Sequence, residues 1–460
     1  MMSPISLGSL YGSYHSALIY PPLELEYIGA SLLDDGHEVE IIDFNLEKKP
    51  IETLKNSLLS SDAVGISVYS NNIKYVSNVA KMIKELNPEI PIIIGGPHCI
   101  FFQDRSLLDV PHADICVIGE GEQVIIDIVR YFQGKKNLSD IHGIYYRDKD
   151  KIKSGKPLKV IENLDSLCFP ARHLVDKYDY GKTNNRYVYT PKFTTMHTSR
   201  GCPFKCRFCA RYGNVVKNWG FRQRSVDNIV KEIQEIDRKF GSVMITDDNF
   251  LSDNKRAHKI MDKIIESRTN IELMIEGTRI DTADKKLYLK MKKANVKFIV
   301  FGIESGNQDV LDFYNKRITL DQIRKAVHLS NKMGFITMGS FILAGPIETK
   351  EHVKKTIKFA CSLPLDGAIF YPFAYQMGSP LWYEAVENKI ISKGEYMVPA
   401  LSSRGLGNFT EEESDEYAVK AFKRFYLRPS FLISQIYRSF LRKDFKLIKY
   451  AYDLITSSRK

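Results

Sequence analysis

The chain has 460 residues, 44 % apolar and 26 % charged, with 25 Phe and 25 Tyr, which predicts two or three packed domains and excludes collagen-like, low-complexity and wholly disordered chains. The net charge of +11 is concentrated at one end, where residues 420–460 carry eleven Lys or Arg against Asp444 and Asp453, so a basic appendage is expected rather than a nucleic-acid channel. No run reaches the roughly 18 apolar residues that cross a bilayer, and MMSPISLGSL lacks the basic-then-apolar order of a secretory signal, so a cytoplasmic protein is expected.

Residues 1–145 form the first expected domain. HEVEIIDF, DAVGISVY, PIIIGG and ADICVIG are short β-branched runs, and helix-period segments lie at 51–59, 72–86 and 122–132. Near-continuous apolar strands separated by helices are what a parallel sheet covered on both faces produces, so the fold class is α/β, beginning with a doubly wound Rossmann-like domain. Ligands of such sheets bind beyond the carboxyl ends of the strands. Those ends carry Tyr69, Ser70 and Asn71, then Gly95, Gly96, Pro97 and His98, then Gly119, Glu120, Gly121 and Glu122.

Residues 146–190, rich in Lys, Asp and turn formers, read as an interdomain linker. A second βα series fills 191–390. Its strands are KFTTMHTS, SVMITDD, IELMIEG, VKFIVFGIES, FITMGSFILAG and GAIFYPFAY, with helices at 226–240, 255–266, 284–294, 320–333 and 351–363. Six strands alternating with helices predict an open, partial (β/α)6 barrel. The last segment, 391–460, is expected to be a helical tail. Ile433, Ile436, Phe440, Leu447, Ala451 and Leu454 recur there at helical spacing, with Arg438, Arg442, Lys443, Lys446 and Lys449 between them, as in a basic amphipathic helix.

Cys99, Cys116, Cys168 and Cys361 are scattered, whereas Cys202, Cys206 and Cys209 share the segment CPFKCRFC. In a reducing compartment these are not a disulfide framework. Three thiolates spaced C-x3-C-x2-C can wrap a metal centre from one loop, yet they are one ligand short of a closed zinc site or a four-Cys cluster. No fourth cysteine is near, and His197 falls within the preceding strand, where side chains alternate direction. A [4Fe-4S] cube on Cys202, Cys206 and Cys209 leaves one iron open to a small chelating ligand. The loop follows the first barrel strand, at the end where such barrels build active sites, which favours an open catalytic cluster over a structural zinc.

CPFKCRFC, with Phe208 directly before the third cysteine, resembles the signature of the radical S-adenosylmethionine (radical SAM) enzymes. The resemblance implies that the open iron binds S-adenosylmethionine, and that one electron cleaves the sulfonium to a 5′-deoxyadenosyl radical able to abstract hydrogen from an unactivated carbon. It extends to Thr246, Asp247, Asp248, Asn249 and Phe250 after the second strand, where the family meets the methionine amino group. Glu276 and Arg279 in IEGTRID, Glu304 and Ser305 in FGIESGN, and residues 339–348 are implied to surround the nucleoside and carboxylate. Acids accept from ammonium or ribose hydroxyls, and Arg pairs with a carboxylate.

VGISVYSNN, IIIGGPH, VIGEGE and LDSLCFPAR resemble the cobalamin-binding half of the B12-dependent radical SAM group, so the likeness spans roughly residues 20–390. It implies a cobalamin-binding type of Rossmann domain, with cobalamin beside Ser70, Gly95, Gly96, Gly119, Glu120 and Gly121; glycines at strand ends let backbone approach a flat corrin closely. Two features depart from the family pattern. The opening apolar strand reads as missing from MSPISLGSLYGSYHSALIYPPLELEYIGA, and no D-x-H-x-x-G motif offers cobalt a histidine, His98 reading as structural.

The expected function is thus radical SAM chemistry with a [4Fe-4S] cluster, S-adenosylmethionine and cobalamin, methylating or otherwise modifying an apolar, lipid or tetrapyrrole-like substrate. Oxidative cyclisation or carbon bond formation without methyl transfer is the alternative within the class, and a non-catalytic metal-binding protein the alternative outside it. Only Cys361 follows Cys209, so one cluster is the expected count. The resemblance further implies an electron donor such as ferredoxin or flavodoxin, and the basic tail helix a peripheral membrane contact. Tyr371, Tyr375 and Gln376, after the last strand, are expected on the substrate side.

Overall fold

The structure, a computed structural model, describes residues 2–3, 19–183, 186–187 and 189–442. Met1–Arg186 with Val215–Trp219 makes one unit, and Tyr187–Asn214 with Gly220–Lys460 the other.

The first unit is built on strands buried on both faces. In chain order it holds β1 (Met2–Ser3), α1 (Leu23–Asp34), β2 (Ile42–Asp43), α2 (Pro50–Leu58), β3 (Val64–Ser67), α3 (Ile73–Leu86), β4 (Ile92–Gly95), α4 (Pro97–Phe102), α5 (Arg105–Asp109), β5 (Ile115–Val117), α6 (Gly121–Phe132), β6 (Ile144–Asp148) and β7 (Lys151–Ser154). The strand order is β2-β1-β3-β4-β5-β6-β7. Pairing is parallel through β5 and antiparallel thereafter. Val76, Val79, Ala80 and Ile83 of α3 recur at helical spacing and pack with Ile66, Ile92 and Ile94 in one core; each fully buried Ile contributes roughly 1.5–3 kcal/mol.

Two expectations change here. The first strand is present in reduced form: Met2 pairs with both Ile42 and Ile66, so two residues occupy the place between β2 and β3. So short a strand carries no apolar run for a sequence pattern to register. The start of the expected linker is also part of the sheet, because β6 and β7 form an antiparallel hairpin on its edge. The hairpin reads as a linker because its outer strand, KIKS, is largely exposed and charged.

Two short strands, β8 (Lys182–Thr183) and β9 (Arg186–Tyr187), follow in sequence. The second unit continues with β10 (Phe193–Met196), β11 (Ser199–Arg200), β12 (Arg222–Gln223), α7 (Val226–Asp237), β13 (Ser242–Ile245), α8 (Asn254–Ser267), β14 (Glu272–Thr278), α9 (Lys285–Lys293), β15 (Val296–Glu304), α10 (Gln308–Phe313), α11 (Leu320–Met333), β16 (Ile336–Leu343), α12 (Lys350–Ser362) and β17 (Gly367–Pro372). The sheet β10-β13-β14-β15-β16-β17 is six-stranded, parallel and sequential, as the alternation of runs predicts. Its helices start at side-chain caps. Ser225 accepts the Asn228 N–H at 3.2 Å, Asp253 that of Arg256 at 3.0 Å, and Thr319 and Gln322 form a reciprocal capping box.

β18 (Ala374–Gln376), α13 (Pro380–Glu387), β19 (Met397–Pro399), α14 (Glu411–Tyr426) and α15 (Pro429–Arg442) complete the described chain. α14 packs along β17, where the Tyr426 hydroxyl donates to the Ala368 carbonyl and accepts the Ala368 N–H, both at 3.0 Å. α15 reverses the expected amphipathic arrangement. Arg438 and Arg442 point inward onto the fully buried Asp366 at 3.1 and 2.9 Å, while Ile433, Ile436, Tyr437, Phe440 and Leu441 face outward. A buried carboxylate needs paired charge more than the arginines need water. Lys443, Lys446, Lys449, Leu447, Ala451 and Leu454 lie outside the described residues. Among the described residues no helix is long and apolar enough to cross a membrane.

Candidate active site

The cysteine loop leaves the carboxyl end of β10 and is fixed at its root by one carboxylate. Asp247, buried after β13, accepts the Thr198 N–H at 2.6 Å, the Thr198 hydroxyl at 2.5 Å and the Ser199 hydroxyl at 2.6 Å. Gly277 (φ +65°) makes room for this turn, since a β-carbon there would lie 2.3 Å from the Asp247 carbonyl. Farther along, the loop is pinned through its backbone. Arg207 N–H donates to the Tyr314 carbonyl at 2.9 Å, Arg211 to the Phe204 carbonyl at 2.7 Å, and Asn315 to the Lys205 carbonyl at 2.8 Å. Phe208 meets Tyr314 edge-on, ring centres 5.2 Å apart.

All seven cysteines are free thiols. Burial pushes the Cys209 thiol up to about 12, and the neighbouring Cys206, Asp248 and Cys202 push in the same direction, against Lys316. Cys202 is raised first by burial and then by Asp248 and Cys206, with the Phe204 backbone opposing. A bound cation relieves groups that oppose one another's ionisation, and an iron–sulfur centre fits such a thiol set. Among the described residues no three His, Cys, Asp or Glu side chains converge closely enough to hold one bare ion. A cube, in which each thiolate ligates its own iron, asks for a wider tripod than a single ion does. His197 is occupied elsewhere, its Nδ1 lying 3.3 Å from the Thr246 hydroxyl, and burial lowers its pKa.

The expected S-adenosylmethionine residues divide into two groups. Asp248 and Glu276 each hold a carboxyl raised by burial, and the charge of Asp247 adds to the effect on Asp248. Both remain suited to accept from ammonium or hydroxyl donors. The others are committed to the protein. Asp247 braces the loop. Ser305 is buried, accepts the Asn307 N–H at 3.2 Å and lies 3.2 Å from the Thr356 hydroxyl. Glu304 (φ +68°) is paired with Lys316 at 2.6 Å, and Arg279 is chelated by Asp281. In the 339–348 stretch, Glu348 is wholly buried and raised to about 7 by that burial, although the Gly345 N–H donates to it at 2.8 Å. Tyr375 is core, its hydroxyl donating to the Leu406 carbonyl at 2.8 Å, whereas Tyr371 is exposed.

In the first unit, Ser70, Gly95 and Gly96 lie at the carboxyl ends of β3 and β4. The Ser70 hydroxyl is 3.1 Å from Nδ1 of the buried His98, whose Nε2 is 3.1 Å from Asp109, so a polar chain ends at the strand tips where a polar cofactor edge fits. Gly119, Glu120 and Gly121 have another task. Leu158 fills the space where a Gly119 β-carbon would stand, Ile28 abuts Gly121, and Glu120 accepts the Ile161 N–H at 2.7 Å. Side chains and backbone of the same unit thus lie against all three, with Gly119 and Gly121 half-buried. Lys316 is a site residue that sequence reasoning missed. It follows α10 outside any strand-end motif, and its 2.6 Å pairing with Glu304 spans a separation no local pattern reveals.

A model of the radical SAM superfamily matches residues 196–360, and one of the B12 binding domain matches residues 14–129. An uncharacterized methyltransferase of Pyrococcus horikoshii is 32 % identical over 91 % of this chain and 90 % of its own length. The anaerobic magnesium-protoporphyrin IX monomethyl ester cyclase of Cereibacter sphaeroides is 26 % identical over 91 % of this chain and 70 % of its own. The radical S-adenosylmethionine methyltransferase TsrM of Kitasatospora setae, solved with cobalamin and a [4Fe-4S] cluster, superposes with a TM-score of 0.68 at 16 % identity, covering 84 % of this chain and 77 % of its own; this is a likeness of fold. The chain belongs to the B12-binding radical SAM family. It is an enzyme of the methyltransferase and cyclase type, with a [4Fe-4S] cluster, S-adenosylmethionine and cobalamin as its cofactors.

Proposed function

We propose that this enzyme methylates an unactivated carbon of an apolar, lipid or tetrapyrrole-like substrate. The observation that carries the reading is the grouping of Cys202, Cys206 and Cys209 on one loop rooted at a barrel strand end, where burial and the neighbouring groups raise the Cys202 and Cys209 thiols. When bound, the cluster and S-adenosylmethionine supply a 5′-deoxyadenosyl radical, and cobalamin a methyl group. The chain supplies position. Cys202, Cys206 and Cys209 hold the cluster, Asp248 and Glu276 accept from the donors of S-adenosylmethionine, and Phe208 packs beside the loop against Tyr314. Ser70, Gly95 and Gly96 carry the cobalamin side. A ferredoxin or flavodoxin type of protein serves as electron donor.

Access to an apolar substrate is supported by α15, whose outward face of Ile433, Ile436, Tyr437 and Leu441 suits the surface of an anionic bilayer. The basic residues that follow in sequence complement such lipid, at about 1 kcal/mol each near the surface. Flotation with phosphatidylserine vesicles, and its loss in an Ile433→Ser, Ile436→Ser protein, checks this part.

The deciding experiment is anaerobic reconstitution with methyl-labelled S-adenosylmethionine. A brown protein that releases corrinoid on extraction, forms 5′-deoxyadenosine and passes label to product supports the reading, and Cys206→Ala abolishes 5′-deoxyadenosine. Product formed without label supports cyclisation or oxidation, the second reading, which the similarity to the cyclase favours. Turnover surviving Cys206→Ala overturns both.

A further inference from the structure

Arg279 is a strong base enclosed in protein, 5 % exposed, and its guanidinium is used on every side. Nε and one terminal nitrogen chelate Asp281 at 3.0 and 2.9 Å, and that nitrogen also donates to the Lys316 carbonyl at 2.6 Å. The plane lies over the ring of Phe204, 3.8 Å from its centre. The remaining nitrogen, Nη1, points at the Cys206 sulfur, 3.8 Å away. With its fork committed to Asp281, Arg279 is not left to clamp a ligand carboxylate, as its position in the sequence implies. It is the side-chain donor that reaches one of the three loop thiols among the described residues.

We propose that Arg279 is a positioning residue that sets the reduction potential of the cluster through Cys206. A guanidinium does not lose its proton under working conditions, so the donor is permanent. An N–H bond to a ligating sulfur, and a fixed positive charge beside it, draw electron density from the thiolate and favour the reduced, more negative state. Asp281 tempers that charge from the opposite edge. Phe204 belongs to the cysteine loop itself, so stacking on it fixes the guanidinium relative to Cys206. The other charged groups by the thiols are Lys316, neutralised by Glu304, and Asp248, whose charge opposes the effect. The inference deepens the family reading, since it rests on a cluster held by Cys206.

The test is an EPR-monitored redox titration of the reconstituted holoenzyme, with iron and sulfide content measured in parallel. Arg279→Gln moves the potential of the cluster to more negative values, Arg279→Lys moves it less because charge persists without the fork, and Asp281→Asn moves it the other way. An unchanged potential in Arg279→Gln at full iron content overturns the proposal. If Arg279→Gln fails to hold the cluster, Asp281→Asn decides, and an unchanged potential there overturns it equally. A wild-type protein that holds no cluster removes the family reading; a loaded one indifferent to Arg279 removes this inference alone.

Discussion

Lys316 and Glu304 meet at 2.6 Å, with side chains 8 % and 9 % exposed, so the barrel carries an ion pair almost wholly withdrawn from water beside the cysteine loop. The Lys316 ammonium also stands 5.7 Å from the centre of the Phe208 ring. Removing one partner strands the other. Lys316→Met is expected to destabilise the apo protein by about 3–5 kcal/mol, and the double change Lys316→Met, Glu304→Gln by much less, because no lone charge is left buried. Urea unfolding of the two proteins checks this.

Asp247 is the hinge pin of the metal loop. Asp247→Ala deletes three bonds of 2.5 to 2.6 Å to Thr198 and Ser199, and a loss of about 2–4 kcal/mol is expected, with buried donors left unsatisfied. Iron bound per chain after reconstitution falls with it. A variant that loads iron like the wild type would show that the loop holds its shape without the brace.

The legible parts were those written in local pattern. Parallel-sheet runs such as IIIG and ICV, helix-period segments such as 226–240 and 320–333, and the cysteine triplet all declare themselves within a few residues. What escaped lies in separations a pattern does not span. Asp366 draws Arg438 and Arg442 inward from more than seventy positions away, turning over a helix whose apolar spacing alone reads the opposite way. Arg279 carries the right chemistry for a carboxylate, but Asp281, two residues on, takes it first. α1 leaves little local signal, because it follows a doubled proline and carries only a short apolar stripe.

Glu348 makes stability depend on pH. Its carboxyl is raised from 4.5 to about 7 by burial, so the folded state holds the proton more tightly than the unfolded chain does. The favourable contribution is complete below about pH 4.5 and is lost as pH rises through about 7, a difference on the order of 3 kcal/mol above that point. Glu348→Gln is expected to unfold at nearly constant temperature between pH 5 and roughly 8 in this respect, where the wild type declines. Calorimetry across that range checks the sign.

Asp366 should govern the tail. Asp366→Ala leaves Arg438 and Arg442 without their shared buried partner, and native trypsin digestion is expected to cut at both arginines faster than in the wild type. Equal cleavage rates would mean that Phe431, Gln435 and Ser439, the inward residues of α15, hold the helix unaided.

The phenol of Tyr426 has a role beyond joining a helix to a strand. By answering both the N–H and the carbonyl of Ala368, it occupies a rung of the ladder that a further strand would need. It acts as a selvedge on that margin of the barrel, finishing the weave where another chain could otherwise be stitched on. Tyr426→Phe would unpick that hem and leave a templating edge for self-association.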